Sequence, residues 1–396
     1  MHRAFTYRLQ PTKGQEQRLV ALLEVQRELY NAALEERRGA WDREHRRVTK
    51  YDQFGQLKDL GRDRPDALAY GTRVCRGTLT RLDEAFAGFL RRIRTGQTPG
   101  YPRFKASGRW DSVSWPDAAG WKVDEAAKRL YVQGVGHVRL RLHRPLRGTP
   151  KSLTVARRGR HWDLTVFCSE VPRQPLPPTG RSVGIDLGVA NLVTTSEGDT
   201  IANPRPRKSL ADRLGAAQRD KARRKRGSVR YHRANASIIR VKAKEARIRK
   251  DHLHKVSRRL VDENDLICHE NLSIGSMVRS ARGTIESPGT NVAAKSGLND
   301  AISDSGWGIL LTMIAYKAED AGRTVVVVNP RHTSQRCHLC GHTCPGNRVT
   351  QAVFRCTSCG HVAHADVNAA RNILRAGLAL HPGAKSEPPA TARLVS

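Results

Sequence analysis

The sequence predicts an α/β protein of several domains, and three observations carry that reading. Short strand-like runs separated by glycine turns occupy the first residues and the stretch 130–168. Apolar runs within 181–195, at 266–268 and at 325–328 alternate with long amphipathic helices, the pattern of a sheet covered by helices. Two Cys-x-x-Cys pairs stand fifteen residues apart towards the end, the spacing of a small metal-held ribbon.

Charge sets the class of partner. The chain has 396 residues, with 70 Lys and Arg against 37 Asp and Glu, a formal net charge of +33. Such an excess repels itself unless a polyanion neutralises it. Nucleic acid fits, because each Lys or Arg that meets a phosphate releases a condensed counterion. No membrane is expected as partner: there is no amphipathic anchor, no leader-type segment, and the most apolar run, 325–328, is only strand-sized. Four of the eight cysteines are grouped and four are scattered, which points to a reducing cytoplasm rather than a disulfide framework.

The elements follow in order. Phe5, Tyr7 and Leu9 alternate with polar residues, as in a half-buried strand. Residues 15–41 place Leu19, Leu22, Leu23, Tyr30, Ala33 and Leu34 on one helical face, and residues 78–94 do the same with Leu79, Leu82, Phe86, Phe89 and Ile93. The second helix turns Arg91 and Arg92 outward, a face read as nucleic-acid-facing. GQTPGYPRFK is a Gly/Pro boundary, and its Arg103 and Lys105 are read as further nucleic-acid contacts. With the first strand, the short strands of 130–168 suggest a small β-barrel that closes around an inserted helical bundle. PRQPLPPTG, at 172–180, is a Pro-rich linker.

From 207 to about 261 the chain reads as one or two long helices with a basic face: Arg223, Arg224, Lys225, Arg226, Arg230, Arg233, Arg240 and Lys244 among others. A solvated surface is the bland reading of such a run. Acids barely interrupt it, so phosphate contact explains it better than i,i+4 pairing does. The stretch 280–305, rich in Gly, Ser, Asn and Asp, reads as a mobile loop. Helices are expected over 307–321 and from 366 to about 376, and the stretch 379–396 reads as a disordered tail.

Two sets of residues carry chemistry. Asp186 stands at the end of an apolar strand between Gly184 and Gly188, Glu270 ends another strand, and Asp366 opens a helix. Asp186 alone reads equally well as a turn cap. Three converging carboxylates would repel one another without a cation. With one they form an all-oxygen site of the type that Mg²⁺ or Mn²⁺ prefers, and a ribonuclease H-like sheet brings such strand ends and a following helix together. Two such cations can activate water and stabilise the leaving oxygen of a phosphodiester. Cys337, Cys340, Cys356 and Cys359 form a closed tetrathiolate set for one structural Zn²⁺, with Gly341 and Gly360 just after each pair.

Taken in order, GIDLG around Asp186, HENL around Glu270, Pro330-x-x-Thr333-Ser334-Gln335-x-Cys337-x-x-Cys340-Gly341, Cys356-x-x-Cys359-Gly360 and Asp366-x-Asn368-Ala369-Ala370 resemble the transposon-encoded TnpB proteins and the compact type V CRISPR effectors similar to them. Tyr30-Asn31-x-Ala33-Leu34 and Gly100-Tyr101-Pro102-Arg103-Phe104-Lys105 add to the resemblance, which covers all but the tail. It implies an RNA-guided endonuclease of the bacterial cytosol or nucleoid, one chain per guide RNA. Such an enzyme cleaves double-stranded DNA beside a short flanking motif. It implies a wedge β-barrel at 1–12 and 106–175, a helical recognition lobe at 13–105, a RuvC-like nuclease domain at 179–330 and 362–378, and a zinc-ribbon insert at 331–361. Asp186, Glu270 and Asp366 become its metal ligands. The family commonly has an acid two residues before the third, where this chain has His364. Other readings are a miniature CRISPR effector, an RNA-guided repressor that binds without cutting, a direct transposase, and a sugar-kinase-type ATPase. A repressor is expected to lose triad acids, and the ATPase needs a second Gly-rich loop that the chain lacks.

Overall fold

Phe5, Tyr7 and Leu9 are buried on one face of the first strand, β1 (Arg3–Gln10). The computed structural model describes residues 1–284 and 286–381, and in it the chain divides into two units, Met1–Pro172 and Arg173 onward. After β1, Thr12 and Gln15 close a capping box, each side chain bonding the other's backbone N–H, and start α1 (Lys13–Glu44). Then come α2 (Lys50–Gly55), α3 (Leu57–Asp63), α4 (Pro65–Leu68) and α5 (Thr72–Arg94). The chain returns through β2 (Ser112–Trp115), β3 (Trp121–Asp124), β4 (Arg129–Val132), β5 (Gly136–Arg141), β6 (Thr149–Arg158) and β7 (His161–Ser169).

These strands form one antiparallel sheet in the order β2-β6-β7-β1-β5-β4-β3, so the helices are an excursion between its central strand and one end. Sheet and helices share a core in which Trp115 and Trp162 meet the cluster that holds Leu22, Leu79 and Leu82. Gly77 allows α5 to approach β2, since a Cβ there would lie 2.0 Å from the Ser114 carbonyl oxygen.

The second unit opens with β8 (Ser182–Asp186), β9 (Asn191–Thr195) and β10 (Thr200–Ala202), followed by α6 (Pro206–Ser209), α7 (Ala211–Ala222) and α8 (Val229–Glu263). The basic stretch is thus three helices, with Gly227 in a left-handed conformation at the break before the α8 cap. Next come β11 (Leu266–Glu270), α9 (Ile274–Met277), α10 (Val292–Ser305), α11 (Trp307–Ala321) and β12 (Thr324–Val328). The hairpin β13 (Val353–Arg355) and β14 (Val362–His364) leads into α12 (Ala365–Leu380). The sheet order is β10-β9-β8-β11-β12, with β8, β11 and β12 parallel and β9 and β10 antiparallel.

Two further expectations change. The loop expected over 280–305 is helical from Val292 as α10, fastened by Ile302 in the core of this unit and by an ion pair with α8. Arg249 of α8 donates through Nε to the Asp304 carbonyl and through Nη2 to its carboxylate, both at 2.7 Å. Helix α12 runs to Leu380, taking in the first two residues of the stretch expected as a disordered tail, while residues 382–396 lie outside the described residues. Among the described residues no helix is long and apolar enough to cross a membrane.

Candidate active site

Strands β8 and β11 run parallel side by side, so Asp186 and Glu270 leave the sheet at the same edge. Helix α12 lies against both strands. A Cβ on Gly184 would stand 2.1 Å from the Ala370 carbonyl oxygen, and one on Gly377 would stand 2.1 Å from Cys268 Sγ. Glycine on β8 and on α12, with buried Ala369 and Ala370 between them, therefore sets the helix close enough to carry Asp366 to that edge.

The three carboxylates feel one another. Burial pushes the Asp186 carboxyl up to about 7, with Glu270 and Asp366 adding to the rise and Arg348 opposing it. Burial also raises Glu270, against a hydrogen bond from Thr333 and the charge of Arg348. Thr333 Oγ1 donates to Glu270 Oε1, and Arg348 Nη2 donates to Asp366 Oδ1 at 3.2 Å. Among the described residues, the four cysteines are the one acid, Cys or His group whose ligand atoms all lie within 4.8 Å of one another. The three carboxylates do not form such a group. Their donor set is nonetheless all-oxygen and shares one field, which fits a hard divalent cation.

Arg348 and Thr333, which bond two of the acids, are not among the candidate site residues of the sequence: one more arginine is invisible in a chain this basic, and Thr333 stands there only as part of the motif before the first cysteine pair. His364 is legible after the fact. It is the N-cap of α12, and its Nδ1 accepts from the Asp366 N–H at 3.3 Å, so it holds the turn that presents the third acid.

The cysteine cluster closes as its spacing implied. Cys337 and Cys359 sulfurs are 3.7 Å apart, and those of Cys340 and Cys356 are 3.6 Å apart. A tetrahedral zinc with Zn–S bonds of about 2.3 Å has sulfur edges of about 3.8 Å, so the set fits one Zn²⁺. The ribbon is tied to α12 by asparagines. Asn368 accepts from the His338 N–H at 3.1 Å and donates to the Arg336 carbonyl at 2.8 Å, and Asn372 donates to the Thr333 carbonyl at 2.9 Å.

The basic residues divide by unit. Arg223, Arg224, Lys225, Arg226, Arg230, Arg233, Arg240 and Lys244 are all exposed along α7, α8 and their junction. Arg224 pairs with Asp220 at 2.6 Å, so local pairing takes part of this run after all, and neighbouring Arg249 is spent on Glu245 and Asp304. In the first unit Arg91 and Arg103 are exposed, Arg92 braces the Gly100 carbonyl at 3.0 Å, and the Lys105 ammonium lies 5.5 Å from the centre of the Tyr30 ring.

Three family profiles match in chain order. A helix-turn-helix domain of IS605 OrfB covers residues 1–46, an IS605 OrfB profile described as "probable transposase" covers 166–281, and a Cas12f1-like TNB domain covers 307–373. InsQ of Escherichia coli strain K12, named as an RNA-guided DNA endonuclease, is 33% identical over 383 residues, 95% of this chain and 92% of InsQ. A Streptomyces pristinaespiralis protein named in the same way is 33% identical over 387 residues, 95% of this chain and 90% of that one. The cryo-EM structure of CasPhi-2 (Cas12j) bound to crRNA is similar at a TM-score of 0.46 and 12% identity, over 98% of this chain and 99% of that one. Sharing a third of its positions with InsQ along nearly its whole length, the chain belongs to the TnpB family, the OrfB proteins of IS605-type elements.

Proposed function

We propose that the chain is an RNA-guided endonuclease that hydrolyses double-stranded DNA at Asp186, Glu270 and Asp366. The observation that carries this is the placement of Asp186 and Glu270 at the same ends of adjacent parallel strands with α12, which opens with Asp366, seated against both, an acidic site in a chain of net charge +33; the raised Asp186 carboxyl supports it. Both close full-length relatives are named as RNA-guided DNA endonucleases, which supports the reading. We read the sheet of the second unit, three antiparallel strands continued by two parallel ones, as a RuvC-like, ribonuclease H-type domain. The antiparallel sheet of the first unit is read as the wedge barrel, its inserted helices as the recognition lobe, and 331–361 as the zinc ribbon with Zn²⁺ on Cys337, Cys340, Cys356 and Cys359.

The three carboxylates would hold Mg²⁺ or Mn²⁺, which in pairs lower the pKa of an attacking water and neutralise the leaving 3′ oxygen. Thr333 orients Glu270 by its hydrogen bond. Arg348 balances Asp366 and is placed to meet a phosphate that enters the site. Guide RNA pairs with the target strand, and the protein reads a short flanking motif in the duplex, one chain per RNA, in the bacterial cytosol. The exposed arginines of α7 and α8 supply phosphate contacts. The Cas12f1-like TNB match favours one second reading, a miniature type V CRISPR effector, with the same chemistry and a different genomic context. The test is to sequence the RNA that co-purifies with the protein and program it against a duplex. Guided, Mg²⁺-dependent cleavage that vanishes in Asp186→Asn while RNA binding persists is the expected result. The absence of any discrete RNA would overturn the guided reading.

A further inference from the structure

In the helical part of the first unit a cavity of about 920 Å³ opens between the second half of α1, the segment that follows it and the second half of α5, with Tyr101 at its side. Its walls combine two features that a protein core does not combine. Aromatic rings are open to solvent: Trp41 is 54% and Tyr101 43% exposed. Both are held rather than loose. Tyr101 meets Phe86 and Phe89 edge-on at 5.5 and 5.3 Å, and Trp41 meets His45 edge-on at 5.8 Å.

Arginines stand among the rings. Arg47, Arg91 and Arg94 line the cavity, and among the described residues none of the three side chains has an ion-pair or hydrogen-bond partner. Of the acids present, Asp83 is already engaged by Arg37 and Lys50, which leaves Glu84 against the free guanidinium groups. Arg37 stands at the base of the cavity and is held in place: it donates through Nε to Gln53 at 3.0 Å and through Nη1 to Asp83 at 3.2 Å, and its guanidinium lies 5.4 Å from the centre of the Phe86 ring.

We propose that this cavity takes an unstacked base of a single-stranded nucleic-acid segment, with the base face on Trp41 or Tyr101 and flanking phosphates on Arg47, Arg91 and Arg94. Ring faces interleaved with unpaired arginines suit a single strand, whose bases offer their faces, and not a duplex, whose bases are stacked on each other. An apolar protein partner would have to bury the same guanidinium groups without counter-charge. The proposal rests on the reading of the chain as a nucleic-acid-guided nuclease and adds a specific subsite to it.

The test uses the full-length protein and a short single-stranded oligonucleotide with one 2-aminopurine, in a DNA and an RNA arm. Binding to the wild type quenches the 2-aminopurine. In Trp41→Ala the quench is lost and affinity falls about tenfold, Trp41→Phe restores both, and a duplex of the same sequence binds all three proteins alike. The stronger arm names the source, guide RNA or displaced DNA strand. Quench and affinity unchanged in Trp41→Ala overturn the proposal. So does an equal loss for duplex, or a changed sedimentation coefficient of the nucleic-acid-free variant, which would make the cavity a protein contact. Guided cleavage measured on the same preparations separates the two ideas. Cleavage with a Trp41-independent quench removes only the subsite, and a Trp41-dependent quench without cleavage removes only the nuclease reading.

Discussion

Gly184 of β8 and Ala370 of α12 touch through their backbones, so closely that a Cβ on the glycine would lie 2.1 Å from the alanine's carbonyl oxygen. The obstacle is backbone, which cannot swing aside as a side chain does. Gly184→Ala is expected to cost roughly 1–3 kcal/mol of stability, the range for overpacking. It also displaces Asp366 from Asp186. Thermal denaturation measures the first effect. The second appears as a loss of cleavage at temperatures where the variant is still fully folded. A variant as stable and as active as the wild type would refute the contact.

Arg348 pairs with Asp366 at 3.2 Å, with both side chains partly buried. Removing it leaves three carboxylates less compensated. Arg348→Ala is expected to lower metal-free stability by roughly 1 kcal/mol, a value suited to a partly solvated pair. Added Mg²⁺ should then raise the unfolding midpoint more than it does in the wild type, because the cation meets less competition for Asp366. Calorimetric scans with and without Mg²⁺ decide the matter, and an equal Mg²⁺ increment in both proteins would count against the role.

The raised Asp186 carboxyl gives a signed pH dependence. Its native value of about 7 lies above the ordinary 3.8, so the native state prefers the protonated form. That contribution is fully present below the ordinary value and is lost as pH rises towards and through about 7. In metal-free protein, Asp186→Asn should flatten the fall in stability across this window. Conversely Mg²⁺ must displace the proton, so its apparent affinity should climb with pH and level off above about 7. Titration calorimetry in two buffers of different ionisation enthalpy reads the released proton directly.

The four cysteines give a metal prediction of another kind. One Zn²⁺ per chain is expected by elemental analysis, and a strong chelator or Cys356→Ser should lower the unfolding midpoint because ligation is part of ribbon folding. Since Asn368 and Asn372 tie the ribbon to α12, zinc loss should also reduce cleavage without removing any carboxylate.

The sheet was legible because buried strands announce themselves as short apolar runs, and Asp186 and Glu270 because each is an acid at the end of one. Asp366 needed its neighbours, and Asn368, Ala369 and Ala370 now have physical tasks: fastening the ribbon and keeping the helix thin against β8. Helix α10 was not legible, since part of what holds it is Arg249 reaching Asp304 from another helix. The same arginine belongs to the basic stretch read for phosphate contact, and it is engaged by Glu245 and Asp304 instead. Sequence pattern records how far a residue recurs along a helix, and it does not record whether a cation turns inward. Arg348 escaped for that reason.

The seating of α12 across β8 and β11 also sets an order in time. Both strands leave the ribosome before the helix that bridges them, and Asp366 arrives with that helix. A nascent chain that has laid down the sheet therefore carries two acids and an uncovered face, and holds no complete set of carboxylates. On the proposed function, the acidic site is complete only once α12 has been made, after every basic residue of α7 and α8.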